Sequence, residues 1–261
     1  MKYVRTIDMQ AFKPDEFHSQ IVGRPEDGVE SAVCILTRVP SGKGTTAGLH
    51  THPADQLYYI LQGEMNVQLG EEKRTAKPGQ LVVIPEGLPH WNWNEGSGDE
   101  LHFEFIVPAP PPGVPVANKV DNANQGPSLE GVELIRTLDE SQFDPERFSS
   151  MVLADRESGV NSTSLGVFRS PPGGKSPPLH VHRFEQIYYI ISGTMGLQIG
   201  LEEYVAPPNS YVILPAGMPH TNWTAGDDVL WFINARTPEP KDRSEPWDRP
   251  VIFGEKAAVV P

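Results

Sequence analysis

A single cysteine, Cys34, excludes any internal disulfide and fits a reducing compartment. It lies in the apolar run Ala32-Val-Cys34-Ile-Leu, the setting of a small core residue rather than of a nucleophile. Basic residues are too few to balance the acids, 21 against 34, so the basic footprint that nucleic acid or an anionic membrane requires is missing. Long apolar runs are missing too. No stretch approaches the ~18 residues of a membrane span, and Met1 to Phe17 has no apolar centre of a secretory leader. These absences lead us to expect a cytoplasmic protein with no nucleic-acid or membrane partner.

Turn formers, by contrast, are abundant. Proline (27) and glycine (24) punctuate the chain at Pro40-Ser-Gly42, Lys77-Pro-Gly79, Pro171-Pro-Gly-Gly174 and Ala206-Pro-Pro-Asn209. Short runs rich in valine, isoleucine, tyrosine and phenylalanine lie between them. Many short strands joined by tight turns predict an all-β sandwich or barrel.

The chain also repeats itself. His50-Thr-His52-Pro-Ala-Asp-Gln56-Leu-Tyr58 returns 130 positions later as His180-Val-His182-Arg-Phe-Glu-Gln186-Ile-Tyr188. A third histidine follows in each half, His90 in Pro85-Glu-Gly87-Leu-Pro89-His90 and His220 in Pro215-Ala-Gly217-Met-Pro219-His220. Arg5-Thr-Ile-Asp8 returns as Arg136-Thr-Leu-Asp139 at an offset of 131. The residue lost between these registers, and two more lost after the third histidine, mark turns between retained strands. The copies run from 1 to 108 and from 131 to 238. A proline-rich linker, 109–130, separates them, and a proline-rich tail, 239–261, follows. Trp247, Val251, Ile252 and Phe253 predict that the tail docks on a surface.

Residues two apart on a strand face the same way, so His50 and His52 converge, with Gln56 and Tyr58 in the same parity. His90 joins them from another strand. His180, His182, Gln186, Tyr188 and His220 form the second set. Three neutral imidazoles suit zinc, copper, iron, nickel or manganese better than calcium or magnesium, so one divalent transition metal per copy is expected. A neutral glutamine oxygen as fourth ligand leaves more positive charge on the metal than a carboxylate would, strengthening its pull on a substrate oxygen. Tyr58 and Tyr188 are candidates to orient the substrate. Asp55 and Glu185 precede the glutamines and point outward by parity. A bulge would bring either in, and Glu185 is kept as a reserve ligand or catalytic base. His102 and Glu104 alternate with core-facing Phe103 and Phe105, which reads as a solvated face.

The two sets meet a known pattern. Gly44, His50, His52, Gln56 and Gly63, with Gly174, His180, His182, Gln186 and Gly193, resemble the first motif of the cupin superfamily, glutamine standing for its usual glutamate. Gly79, Pro85, Gly87, His90 and Asn94 complete the second motif in one copy. In the other, Asn209 replaces the opening glycine and Thr224 the closing asparagine. The resemblance, to two-domain flavonol-dioxygenase-like members, implies two tandem jelly-roll barrels and a metal held by three histidines and one Glu or Gln. It spans enzymes and non-catalytic proteins alike. The expected function is a metal-dependent dioxygenase acting on a hydroxylated aromatic or enol-type small molecule. A redox-neutral cyclase, isomerase or lyase, or a small-molecule-binding barrel, are the alternatives. Dimerisation through sheet faces or edges is expected.

Overall fold

The computed structural model describes residues 3–13, 15–174, 178–241 and 246–251. All strand pairings among them are antiparallel, in two six-stranded and two five-stranded sheets. The first six-stranded sheet runs Ile135–Thr137, Gln80–Ile84, Asp55–Gln62, Glu100–Val107, Val33–Val39, His18–Gly23. The second runs Val4–Thr6, Ser210–Leu214, Glu185–Ser192, Leu230–Thr237, Ser164–Ser170, Ser149–Ala154. Each faces a five-stranded sheet, giving two jelly-roll barrels.

Alternation sorts each strand into two cores. Along Asp55–Gln62, Tyr58 and Ile60 join Met65, Val67 and Leu69 inside the first barrel. Leu57 and Tyr59 point the other way, into a larger cluster with Phe103, Phe105, Tyr189, Tyr211 and Ile233. That cluster lies between the two six-stranded sheets, which are therefore buried on both faces. Their near-continuous apolar runs, such as Ser210–Leu214, follow from this double burial.

Repeat units and barrels do not hold the same residues. Val4–Thr6 opens the first copy but pairs with Ser210–Leu214, matching Val4 to Val212. Ile135–Thr137 opens the second copy and pairs with Gln80–Ile84, matching Ile135 to Val82. Each copy thus lends its first strand to the other's sheet. A reciprocal clasp strengthens the joint. Ser162 donates to Asp55 Oδ2 at 2.8 Å, and the equivalent Ser31 donates through its backbone nitrogen to Glu185 Oε2 at 2.8 Å.

The motif glycines and their replacements have local reasons. Gly63 adopts φ +71°, and a Cβ there would lie 2.4 Å from the Asp99 carbonyl oxygen. Asn209 takes the left-handed backbone (φ +60°) that Gly79 takes in the first copy, and its Oδ1 accepts from the Tyr189 hydroxyl at 2.8 Å. Asn94 ties its own turn through Nδ2 to Gly98 O (2.7 Å) and Val39 O (2.8 Å). The second turn has the same length, because Leu230 follows Glu100 by the 130 positions that separate Trp223 from Trp93, so the two residues expected to be lost there are not; Thr224 bonds Ser170 Oγ at 2.7 Å.

Two candidate metal centres

His50 lies on strand His50–Thr51 directly opposite His90, the first residue of His90–Trp93. His52 follows two positions on. In all three rings Nδ1 faces a backbone carbonyl: Gly48 O at 2.7 Å, Val116 O at 2.6 Å and Leu88 O at 2.8 Å. A carbonyl only accepts, so each Nδ1 carries the proton and each Nε2 keeps its lone pair. His50 Nε2 and His52 Nε2 then stand 3.1 Å apart with no proton between them, and His90 Nε2 is buried without a partner. Bare lone pairs in such proximity repel unless a cation sits among them. Burial is the main cause lowering the pKa of His50, His52 and His90, keeping them neutral as metal binding needs.

The second centre repeats the device. Nδ1 of His180, His182 and His220 donates to Pro178 O (3.0 Å), Phe184 O (2.7 Å) and Met218 O (2.9 Å). Gln186 Oε1 lies 3.0 Å from His182 Nε2 and 3.2 Å from His220 Nε2. Burial draws His220 down to about 3 and lowers His182. Within each histidine trio the ligand atoms lie within 4.8 Å of one another. This chemistry fits a first-row transition metal in either barrel.

The glutamines are held from behind. Tyr58 donates to Gln56 Oε1 at 3.0 Å and Tyr188 to Gln186 Oε1 at 2.9 Å. Burial raises both phenols, so they remain protonated donors. The tyrosines expected to orient substrate therefore have their hydroxyls on the glutamine oxygens. Glu185 points outward, as parity required. It accepts from Glu30 N at 3.0 Å and from the backbone and hydroxyl of Ser31, which keeps it away from the histidines and occupies the lone pairs a ligand or base would need.

One expectation is overturned. His102 and Glu104 are buried, not solvated. Their face is the interior of the first barrel, because neither face of that sheet meets water. His102 Nδ1 lies 2.9 Å from both carboxylate oxygens of Glu100, and its Nε2 lies 3.7 Å from Glu104 Oε2. Burial alone would lower its pKa, but the two glutamates outweigh that and raise it to about 9. Glu104 Oε1 in turn accepts from Gln56 Nε2 at 2.6 Å. The repeat held the signal: Leu230 and Phe232 occupy the equivalent of Glu100 and His102, marking that face as interior.

Linker and tail are equivalent straps, each beginning Pro-x-Pro at Pro108 and Pro238. Asn118–Lys119 pairs with His50–Thr51, and Arg249–Pro250 with His180–Val181. The linker so supplies the Val116 carbonyl that fixes His52. In the tail, the Trp247 ring meets Phe184 edge-on at 5.8 Å and Val251 N donates to Leu179 O at 2.8 Å. Ile252 and Phe253 lie outside the described residues. Beside this strap a cavity of about 680 Å³ is lined by His182, Phe184, Gly217, Pro238, Trp247 and Arg249.

Comparison with known proteins agrees with this geometry. Germin-like protein 8-14 of Oryza sativa subsp. japonica is 29% identical over 122 residues, covering 44% of this chain and 56% of that protein. The chain thus spans about half the length of that curated relative. Among solved structures, Bacillus subtilis oxalate decarboxylase, studied for its Mn(II) centres, has TM-score 0.67 at 17% identity, covering 88% of this chain and 75% of that one. The 11S globulin of Wrightia tinctoria, described with an auxin binding site, has TM-score 0.69 at 10% identity over 87% and 80% of the chains. At these identities the likeness shows the fold. The family model described as a cupin domain matches residues 37–107 and 166–235. With histidines converging inside both matched barrels, the chain belongs to the cupin family, in its two-domain form.

Proposed function

We propose that this bicupin is a metal-dependent enzyme, a dioxygenase acting on a hydroxylated aromatic or enol-type small molecule, with one divalent transition metal per barrel. The observation that carries the reading is the convergence of three unprotonated imidazole nitrogens and a glutamine in each barrel, beside an aromatic-lined cavity in the second. A bound metal would supply Lewis acidity to a substrate oxygen and, if iron, manganese, nickel or copper, redox chemistry with dioxygen. The chain's own residues prepare this. Backbone carbonyls fix the imidazole tautomers, Tyr58 and Tyr188 steady the glutamines, and the barrel walls limit water.

Glu104 favours a second, redox-neutral reading for the first barrel. It stands one hydrogen bond behind Gln56, with His102 and Glu100 behind it. The Gln56 amide cannot pass a proton, so the Glu104 carboxylate would itself take and return one from a substrate beside Gln56 during isomerisation, cyclisation or elimination.

Oxygen uptake separates the two. Protein loaded in turn with Fe(II), Mn(II), Ni(II), Cu(II) and Zn(II) is screened with hydroxylated aromatics, with and without air. Turnover that stops without dioxygen supports the dioxygenase, and turnover that persists supports the redox-neutral reading. Saturable binding without turnover leaves a binding barrel. Ile21 and Val152, equivalent residues on the two outer edge strands, are each 47% exposed, which supports a homodimer through these edges.

A further inference from the structure

The two barrels surround their metal-ligand sets with opposite charge. The strand Glu100–Val107 turns Glu100, His102, Glu104 and Ile106 inward. Its counterpart Leu230–Thr237 turns Leu230, Phe232, Asn234 and Arg236 inward. Arg236 is the direct cross-strand partner of Gln186 and of Ser164, on the strands either side. Its guanidinium lies over the Phe168 ring at 5.3 Å. The Trp247 ring covers it from the strap side at 5.2 Å. Its charge reaches the Tyr188 hydroxyl, which bonds the same Gln186 oxygen that neighbours His182 and His220.

Among the described residues this guanidinium forms no hydrogen bond and no ion pair at salt-bridge distance; its neighbours are two aromatic faces. Tyr188, Asp248 and Glu239 act on it only through charge, and burial, the larger effect, weakens its hold on its proton. Five donors in a half-buried place without an acceptor are costly, whereas a planar anion would satisfy two at once. The strap shows that the mouth admits such groups. Asp248, next to Trp247, brings a carboxylate oxygen to 3.8 Å from His180 Nε2.

We infer that Arg236 is the anion anchor of the second barrel, so that the molecule bound there is an aromatic or enolic carboxylic acid. Its carboxylate pairs with the guanidinium, its ring rests against Trp247 and Phe184, and its second oxygen points at the His180, His182, His220 and Gln186 set. The first barrel places Ile106 at this position and buries Glu100 and Glu104 nearby, so it does not share the preference. The inference rests on the reading of the second barrel as a metal-dependent small-molecule site.

Calorimetric titration of Mn(II)-loaded full-length protein tests it with three probes. Benzoate carries the anion alone, benzamide is its neutral match, and salicylate adds the oxygen donor. Benzoate is expected to bind at least about tenfold tighter than benzamide, a preference lost in Arg236→Gln and partly kept in Arg236→Lys. Thermal unfolding confirms that both variants fold, and the lysine variant preserves the test if the glutamine variant does not. No preference for benzoate in the wild type, or the same preference in Arg236→Gln, overturns the anchor. The salicylate step reads the other assumption separately. If benzoate binds through Arg236 but salicylate binds no tighter to the Mn(II)-loaded protein than to the metal-free protein, the metal-bound substrate is wrong and the anion anchor stands.

Discussion

Gln56 donates its amide nitrogen to Glu104 at 2.6 Å, and this bond decides which end of the amide faces the histidines of the first barrel. With the nitrogen committed to a carboxylate, the oxygen, which accepts from Tyr58, is the end left for a metal held as proposed.

Glu104→Leu should therefore free the amide and weaken the first metal site by about 10–100-fold, leaving the second unchanged. Chelator competition on the two sites, each isolated by a His90→Ala or His220→Ala background, measures this. Equal affinity in wild type and variant would show that Glu104 does not orient Gln56.

His90→Ala and His220→Ala should each remove one metal equivalent from a protein that otherwise binds two. Elemental analysis after loading and dialysis reads the loss directly. A variant that keeps both equivalents would place the metal elsewhere.

His102 sets a pH dependence in the alkaline range. It faces Glu100 and Glu104 on its own strand, with the Tyr58 ring tilted against it at 4.8 Å on the neighbouring strand. Its folded pKa, about 9, exceeds the ordinary 6.5 of the unfolded chain. The folded protein thus holds a proton that the unfolded chain releases between those values. The resulting stability is fully present below pH 6.5 and lost as pH rises through about 9. Denaturant midpoints should fall from pH 7 to pH 10 in wild type and fall less in His102→Phe, which installs the residue found at Phe232.

Glu185→Ala should cost about 1–3 kcal/mol, because Glu30 N and Ser31 N lose their acceptor. Metal content should not change. Loss of a metal equivalent would instead restore Glu185 to the ligand set.

Gly63→Ala should destabilise by more than about 1 kcal/mol, since the left-handed backbone disfavours any side chain and the Asp99 carbonyl occupies its space. A denaturant midpoint equal to wild type would mean the turn has room to move.

Much of this was legible in the residues. The spacing brought His50 and His52 together, and the 130-residue echo marked both barrels at once, but Gln56 meets them from the facing sheet and not along one strand, because the chain crosses between Thr51 and Asp55. Strand parity placed Glu185 outward, and only the bulge considered for it failed to occur. His102 and Glu104 were misjudged because a polar alternation normally marks a wet sheet face. No pattern within that one strand marks the second face as a barrel interior; the apolar Leu230 and Phe232 at the same positions of the other copy do. Arg236 was invisible for a related reason: a lone arginine near a strand end is unremarkable until Phe168 and Trp247, distant in sequence, close around it.

The exchange of Val4–Thr6 and Ile135–Thr137 between copies bears on how the molecule can exist at all. Neither half can complete its own sheet, so a half-chain would show a bare strand edge and the apolar face bearing Phe103 or Tyr211. Two single-barrel chains trading their leading arms would make the same contacts, each patch meeting its twin across a twofold axis. This polypeptide is in that sense an arm-swapped dimer with its subunits joined end to end. The joining released the two sites from symmetry, so that one could bury glutamates and the other an arginine.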